Sequence, residues 1–255
     1  MSELRVEGVS KTFGGLRAVS DLSLTAPAGR ITGLIGPNGA GKTTVVNLIT
    51  GMYRLSAGSI RFGAKDLTEA PRHEVARAGV ARTFQTIRLL PDASVAENIL
   101  IGMYRHEKAS LTSQLLGLRA SRAETARFRA EAAALLERFG MARYAAHPAG
   151  SLAYGDQRRV EMMRALALKP ELLLLDEPVA GMNEVESAAL GEIFAGLARD
   201  GMGLLLIEHN IGFVTRLCQH IYVLDSGRLI AEGAPERVVS DPAVITAYLG
   251  VDDDA

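Results

Sequence analysis

The chain has 255 residues, of which 48% are hydrophobic, so it can bury one substantial core and carry a subdomain. Its 28 lysines and arginines nearly balance 29 acidic residues, and the net charge of -1 weighs against a nucleic-acid binder that neutralises phosphates. Its longest apolar runs are strand-sized, well short of the roughly 20 residues of a membrane helix. The N-terminus shows no signal segment and the single cysteine, Cys218, excludes an internal disulfide framework, so we expect a soluble cytoplasmic protein in which Cys218 is a packing residue.

The first third of the chain predicts strands and turns around one helix. Residues Leu4 to about Thr86 fit this pattern, and Gly58–Phe62 resembles a short antiparallel strand. The apolar segment Ile31–Ile35 predicts a buried strand, and Thr44–Ile49 has the apolar spacing of a helix start. Between these last two segments lies a glycine-rich loop.

This loop fits the phosphate-binding P-loop pattern, and it has the required strand before it and helix after it. Its glycines let backbone N–H groups turn toward phosphates, and the helix N-terminus adds a partial positive charge. Lys42 can reach the outer phosphates, and the Thr43 hydroxyl can ligate Mg²⁺. The loop therefore predicts a site for ATP or GTP, the alternative being a glycine-rich turn that matches by chance. The expected phosphate-binding residues are Gly36, Pro37, Asn38, Gly39, Ala40, Gly41, Lys42, Thr43 and Thr44.

The middle of the chain, from Ile87 to about Ala149, changes to a helical pattern. Ser94 and Glu97 fit a capping box at the start of one helix. The segment from Ser121 to Phe139 has apolar residues at helical spacing, which predicts an amphipathic helix whose arginines face solvent. We therefore expect an inserted helical subdomain.

The apolar run Leu172–Leu175 ends abruptly in two carboxylates, Asp176 and Glu177. The run predicts a strand buried on both faces, as in a parallel sheet, whose carboxyl end would share an edge with the P-loop. Asp176 then suits Mg²⁺, and Glu177 can orient and deprotonate an attacking water. The alternative is a solvated acidic turn that closes a strand.

The pattern in the remainder of the chain indicates that the same core resumes and continues to about Gly233. It includes the apolar strand Leu204–Ile207. Ala243–Leu249 can form a short helix, and Asp252–Asp254 is expected to be a frayed acidic end. No tandem repeat is evident.

Several motifs resemble, in order and approximate spacing, those of ABC transporter nucleotide-binding subunits, and the resemblance covers nearly the whole chain. They are the P-loop, Gln85, the segment Ser151–Glu161, the pair Asp176-Glu177, and His209. The resemblance implies an α/β fold with a P-loop NTPase (RecA-like) core, an ABC-type antiparallel β subdomain and an inserted α-helical subdomain. It places a single nucleotide-binding domain at 1–250, with core at about 1–86 and 156–235, the helical subdomain at about 87–155, and an acidic tail at 251–255.

The resemblance also implies roles for individual side chains. Phe13 matches the aromatic residue that stacks on adenine, the alternative being an ordinary core phenylalanine. Gln85 matches the glutamine that touches Mg²⁺ or the attacking water and reports nucleotide state to the membrane partner, the alternative being a surface glutamine. His209 matches the histidine that contacts the γ-phosphate. The implied catalytic residues are Glu177, His209 and Gln85, and the implied Mg²⁺ ligands are Thr43, Gln85 and Asp176.

The segment Ser151–Glu161 resembles the family's signature motif, which binds ATP across a head-to-tail dimer. Here Ala153 stands where serine is usual and Tyr154 where glycine is usual, whereas Gly155 is retained. The lost charge-assisted hydrogen bond is worth about 1.5–3 kcal/mol, so cross-dimer binding is expected to be weaker or to use more backbone donors. Asn183 likewise replaces the usual acidic residue of the loop Gly181-Met182-Asn183.

Three sequence segments most resemble those of the ATP-binding subunits of branched-chain amino acid importers: Leu152–Arg159, Ala180–Asn183 and Ala247–Gly250. This resemblance implies an ATPase that uses ATP and Mg²⁺ at the cytoplasmic face of the inner (plasma) membrane, as a peripheral subunit. Its implied partners are integral membrane permeases, a second ATPase subunit or a second copy of itself, and, indirectly, a periplasmic or extracellular substrate-binding protein, but no nucleic acid.

Three alternative functions stay open on the sequence. A related lipopolysaccharide-export ATPase has a similar tail, although its signature is closer to the usual Ser-Gly-Gly form. A soluble ABC-type ATPase acting on nucleic acid or ribosomes typically has two cassettes or a long coiled-coil insertion, and this chain shows neither. A regulatory module that binds ATP without turnover is disfavoured by the set Lys42, Asp176, Glu177 and His209.

Overall fold

Residues 2–83, 87–107, 113 and 118–249 are described in the computed structural model. They fall into two compact units. The first comprises Met1–Arg82, Glu171–Ala180 and Glu184–Ala255, and the second comprises Thr83–Pro170 and Gly181–Asn183.

Strands are confined to the first unit among the described residues. In chain order they are β1 Glu3–Phe13, β2 Leu16–Pro27, β3 Ile31–Ile35, β4 Ala57–Phe62, β5 Lys65–Asp66, β6 Val80–Arg82, β7 Leu172–Asp176, β8 Gly203–Ile207, β9 His220–Asp225 and β10 Arg228–Gly233. The described helices are α1 Lys42–Ile49, α2 Arg72–Ala78, α3 Val95–Met103, α4 Arg119–Arg138, α5 Tyr154–Leu166, α6 Glu184–Arg199, α7 Ile211–Leu217, α8 Pro235–Val239 and α9 Pro242–Leu249.

One sheet of the first unit has four antiparallel strands in the order β2-β1-β4-β5. Leu22, Leu24 and Ala26 of β2 are buried while the residues between them are exposed, the alternation expected of a sheet with one face in the core. β4 pairs antiparallel with β1, which confirms the strand predicted at Gly58–Phe62.

The other sheet has six strands in the order β10-β9-β3-β8-β7-β6. Every pair from β9 to β6 is parallel, and β10 pairs antiparallel with β9 at the edge. All residues of β3, β7 and β8 are buried, as predicted for apolar runs covered on both faces. Residues of α1 and of both sheets share one hydrophobic cluster, so the helix after the P-loop is anchored in the core.

The second unit is built from α3, α4 and α5, with short 3₁₀ turns at Tyr104–His106, Ala142–Tyr144 and Ala149–Ser151. The predicted capping box is confirmed: Ser94 Oγ accepts the Glu97 N–H at 3.2 Å, and Glu97 Oε2 accepts the Ser94 N–H at 2.7 Å. The predicted amphipathic helix is also present as α4, with Phe128 and Leu136 buried.

The sequence placed the end of the helical part near residue 155, whereas the second unit runs to Pro170. The added segment is α5, which packs against α3 inside this unit. Cys218 follows α7 and is buried, and burial raises the pKa of its thiol to about 12, so it packs as a small apolar residue. In the part of the chain that the structure describes, no helix is long and apolar enough to cross a bilayer.

Candidate nucleotide site

Three neighbouring parallel strands end at one edge of the six-stranded sheet. The register aligns Leu34 of β3 with Ile207 of β8, and Ile207 with Asp176 of β7. The chain continues from β3 into the P-loop, from β7 into Glu177, and from β8 into Glu208 and His209. Ligands of open α/β sheets bind at the carboxyl ends of the strands, so the fold gathers the predicted phosphate, carboxylate and histidine groups at one place.

The P-loop follows a path that two glycines make possible. Gly36 has φ +151°, and a Cβ there would lie 2.0 Å from the carbonyl oxygen of Leu224. Gly41 has φ +101°, and a Cβ there would lie 2.7 Å from the carbonyl oxygen of Ala18. The loop backbone therefore runs against β9 and β2 with no space for side chains at these points.

The helix that follows the loop begins without a side-chain cap. Gly41 is its N-cap, and the first N–H groups of a helix have no acceptor within the helix. The Lys42 ammonium donates to the carbonyl oxygens of Gly36 at 2.6 Å and Pro37 at 2.9 Å. Burial lowers the pKa of Lys42, and attraction to Glu177 and Asp176 partly opposes that shift. Donor groups and a cation thus lie together beside the exposed Thr43.

Asp176 is held by an arginine that the sequence analysis missed. Arg82 Nη2 lies 2.7 Å from Asp176 Oδ2, and both side chains are buried. Arg82 Nη1 also donates to Asn47 Oδ1 of α1 at 2.5 Å, so one guanidinium ties β6, β7 and α1 together. The available signal was a basic residue that ends a strand three positions before Gln85.

The residues near Asp176 fit a magnesium ion better than a metal held by protein alone. Thr43 and Asp176 carry oxygen atoms of the kind that can hold such an ion, and no group of three or more histidine, cysteine, aspartate or glutamate side chains capable of holding a metal occurs among the described residues. Mg²⁺ commonly keeps several waters and uses one or two carboxylates together with substrate phosphates. Gln85, the third expected ligand, lies outside the described residues.

Glu177 and His209 meet at the same edge. His209 Nδ1 lies 3.8 Å from Glu177 Oε1, and the imidazole is more than half exposed. Glu177 has a left-handed backbone, φ +49°, and its N–H donates to the Ile207 carbonyl at 2.9 Å. Strained residues of this kind cluster at functional sites, where surrounding structure holds them in place.

Glu208 is a second residue that the sequence analysis missed. It is fully buried; Oε1 accepts the Val179 N–H and Oε2 accepts the His209 N–H, both at 3.2 Å. Burial raises the pKa of its carboxyl, and the hydrogen bonds and the nearby His209 partly oppose this. Its available signal was the same as for Asp176, a carboxylate directly after a buried apolar run.

Phe13 lies at the end of β1 in the same unit and is 40% exposed, which excludes the ordinary core alternative. Tyr53 contacts its ring edge-on, with centroids 5.2 Å apart, and Lys11 Nζ lies 4.8 Å from the ring centroid. A partly exposed ring of this kind can stack on a base.

The signature segment lies in the second unit. Ala153 is the N-cap of α5 and makes no side-chain cap hydrogen bond, and Gly155 lies in the first turn. Tyr154 is half exposed, and its hydroxyl accepts a hydrogen bond from Arg158 at 3.0 Å. This helix start therefore offers backbone N–H donors and no hydroxyl at the N-cap.

Comparison with known families gives two matches. Residues 19–180 match the ABC transporter family, and residues 228–254 match the family described as branched-chain amino acid ATP-binding cassette transporter. Among curated proteins, the high-affinity branched-chain amino acid transport ATP-binding protein LivG of Salmonella typhimurium is 43% identical over 248 residues, 97% of both chains. BraF of Pseudomonas aeruginosa is 40% identical with the same coverage, and the lipopolysaccharide export protein LptB of Haemophilus influenzae is 33% identical over 98% of both chains.

Solved structures agree with these matches. The ADP conformation of MJ1267, an ATP-binding cassette of an ABC transporter, has a TM-score of 0.85 at 33% identity and covers 98% of this chain and 99% of that one. A nucleotide-free cassette gives a TM-score of 0.84 at 33% identity over 97% of this chain and 99% of that one. These likenesses confirm the predicted fold class. The chain belongs to the ABC transporter family, as one of its ATP-binding and ATP-hydrolysing subunits.

Proposed function

We propose that this chain is the ATPase subunit of an importer of branched-chain or related hydrophobic amino acids. The observation that supports this choice of substrate is the 43% identity to LivG over 97% of both chains, together with the C-terminal family match at 228–254. The lipopolysaccharide-export relative is more distant, at 33% identity. Import is therefore favoured over export.

In this proposal the consecutive residues from Gly36 to Thr44 bind the ATP phosphates. The first-turn N–H groups of α1 and the Lys42 ammonium meet the negative charge, and Phe13 stacks on the adenine. Thr43, Asp176 and Gln85 are the proposed Mg²⁺ ligands. The ion would supply charge neutralisation at the outer phosphates.

Glu177 is the proposed general base. It orients the attacking water and accepts its proton, while His209, 3.8 Å away, contacts the γ-phosphate. The left-handed backbone at Glu177 supports this assignment because strain of that kind is retained where geometry matters.

The working assembly is proposed to be a dimer bound to integral membrane permeases at the cytoplasmic face of the plasma membrane. Gly155 and the N-terminus of α5 would face the ATP bound by the other protomer, as a second positive helix end. The other protomer is a second copy or a related ATPase, and a substrate-binding protein would deliver cargo to the permeases.

The chemistry is tested by the Glu177→Gln variant. Turnover of ATP is expected to fall about 100- to 10,000-fold, the usual contribution of a general base, while ATP binding is retained. Glu192→Gln, an exposed position on α6, is the matched control and should keep wild-type turnover. Near wild-type turnover in Glu177→Gln would show that the base has been wrongly assigned.

The cargo is tested in source cells that lack this chain. Complementation with the wild type, but not with Glu177→Gln, should restore uptake of radiolabelled leucine and leave proline uptake unchanged. Affinity purification from gently solubilised membranes should recover two polytopic permeases and a second ATPase. Recovery of lipopolysaccharide-export components, or of ribosomes without a permease, would contradict the import proposal.

A further inference from the structure

We propose that Glu208 is a positioning residue for ATP hydrolysis, which holds the backbone after Glu177 and the backbone of His209 in one fixed arrangement. The inference rests on the proposed function, because it assigns a task to a residue beside the proposed base. Glu208 does not need to touch ATP to perform this task. Its carboxylate acts through the two loops that carry Glu177 and His209.

One hydrogen bond of Glu208 joins segments that are distant in sequence, and the other fixes the residue next to it. Oε1 accepts from Val179, two residues after Glu177, and Oε2 accepts from His209, each at 3.2 Å. One side chain with two acceptor oxygens therefore connects the segment after β7 with the segment after β8. A side chain without two acceptors cannot satisfy both N–H groups, and an unsatisfied buried donor is costly.

The same contacts hold Glu177 in its strained conformation. The Glu177 N–H is fixed on one side by the Ile207 carbonyl at 2.9 Å, and the chain is fixed two residues later at Val179. A left-handed backbone at a glutamate persists only where its surroundings hold it. Glu208 supplies one of the two fixed points.

Charge pairing does not account for burying this carboxylate. Within the described part of the chain, the basic group found near Glu208 is the His209 ring, whose Nδ1 lies 3.8 Å from Oε2. The same His209 nitrogen lies 3.8 Å from Glu177 Oε1, so the ring sits between two carboxylates. A buried carboxylate bound mainly by backbone N–H groups is expensive to keep, which fits a role in geometry better than a role in stability.

Two variants of the full-length chain test the proposal. Glu208→Leu removes both acceptors, whereas Glu208→Gln keeps one acceptor oxygen in the same volume. Loss of supporting contacts and misplacement of a reacting group by about 1 Å each lower activity by up to about 100-fold. We therefore expect kcat to fall about 10- to 100-fold in Glu208→Leu and less in Glu208→Gln. The Kd for ATP, measured without Mg²⁺, should change less than about twofold, because only the hydrolytic geometry is altered.

The control variant is Leu205→Val, a core change in β8, the strand that directly precedes Glu208. It should lower the melting temperature and leave kcat unchanged at temperatures where the protein is folded. A readout that is independent of activity is the ¹⁵N-histidine spectrum, in which the ring signals of His209, assigned with His209→Gln, should shift in Glu208→Gln and stay in place in Leu205→Val.

The outcomes separate this inference from the proposed function. If the wild type hydrolyses ATP and Glu177→Gln abolishes turnover, but Glu208→Gln and Glu208→Leu keep wild-type kcat, the inference alone is overturned. A fall in kcat that only follows the folded fraction, as in a stability defect, also overturns it. Absence of turnover in the wild type overturns the proposed function and this inference with it. Should Glu208→Leu fail to fold, Glu208→Gln decides.

Discussion

Two helices of this protein begin without a side-chain cap, and their surroundings differ sharply. The N-terminus of α1 follows glycines pressed against neighbouring carbonyls and lies beside the buried Lys42. The N-terminus of α5 follows Ala153, has no side-chain cap, and exposes Tyr154. The first turn of α1 carries the cation Lys42, whereas the first turn of α5 carries the carboxylate Asp156. We infer that α1 can bind phosphate by itself, whereas α5 can only add to a site that is already formed.

The largest expected effect concerns the charges near α1. Arg82→Leu breaks the buried 2.7 Å pair with Asp176, and removal of one partner of such a pair typically costs about 3–5 kcal/mol. Arg5 and Glu3 form a pair of the same 2.7 Å length at the surface, and Arg5→Ala is expected to cost far less, because solvent screens an exposed pair. Urea unfolding of both variants measures the difference. Equal losses would show that burial does not set the value of the Arg82 contact.

The second-largest effect is expected at the glycines of the two helix N-termini, where the same substitution to alanine should change stability in opposite directions. Gly41→Ala places a Cβ 2.7 Å from a backbone carbonyl in a left-handed conformation, so we expect a loss of several kcal/mol. Gly155→Ala meets only Met182, at 3.7 Å, within a helix. Alanine there should raise the free energy of unfolding by up to about 1 kcal/mol. Turnover should nevertheless fall in both variants, and unchanged turnover in Gly155→Ala would count against a phosphate contact at α5.

A smaller effect is expected from a substitution that restores the side-chain cap that α5 lacks. Ala153→Ser adds a hydroxyl at the N-cap, which should stabilise the protein by about 1 kcal/mol. The same hydroxyl should tighten ATP-dependent dimerisation about tenfold, the equivalent of one added hydrogen bond to a charged group. Ala126→Ser, an exposed position inside α4, is the control and should lower stability slightly. Equal behaviour of the two variants would refute a capping position at Ala153.

The smallest effect is a pH dependence at Glu208. Because burial raises the pKa of this carboxyl in the folded state, its contribution to stability is greatest below the unfolded pKa of 4.5 and is lost as pH rises through the folded pKa. The Glu208→Gln side chain does not ionise, so the melting temperature of this variant should rise relative to that of the wild type as the pH is raised from 4.5 to 8. The groups that face the carboxylate are the backbone N–H groups of Val179, His209 and Asn210 and the His209 ring. A widening deficit of Glu208→Gln over the same range would contradict a buried, costly carboxylate.

The sequence indicated where in the fold the proposed phosphate-binding and catalytic groups lie, because each follows a recognisable local pattern. The P-loop follows a buried strand, and Asp176 and His209 terminate or follow apolar runs whose period and length indicate strands. Phe13 differs in this respect, since its exposure decides between base stacking and core packing, and exposure is a property of the folded chain.

The supporting residues could not be predicted because their partners are chosen by the order of strands in the sheet. Arg82 and Asp176 are 94 residues apart and meet because β6 lies beside β7. Val179 and Glu208 are 29 residues apart and meet because β7 lies beside β8. Local propensity and periodicity determine where strands begin and end, whereas their order depends on packing across the whole sheet.

A selection for heat resistance alone would act against this enzyme at residue 177. Glutamate holds a left-handed backbone there, which costs an ordinary side chain about 1–3 kcal/mol and costs glycine almost nothing. Glu177→Gly should therefore melt a few degrees higher than the wild type while it lacks the proposed base. Mutant libraries scored only for survival at high temperature would enrich such inactive clones, and turnover has to be scored in the same screen.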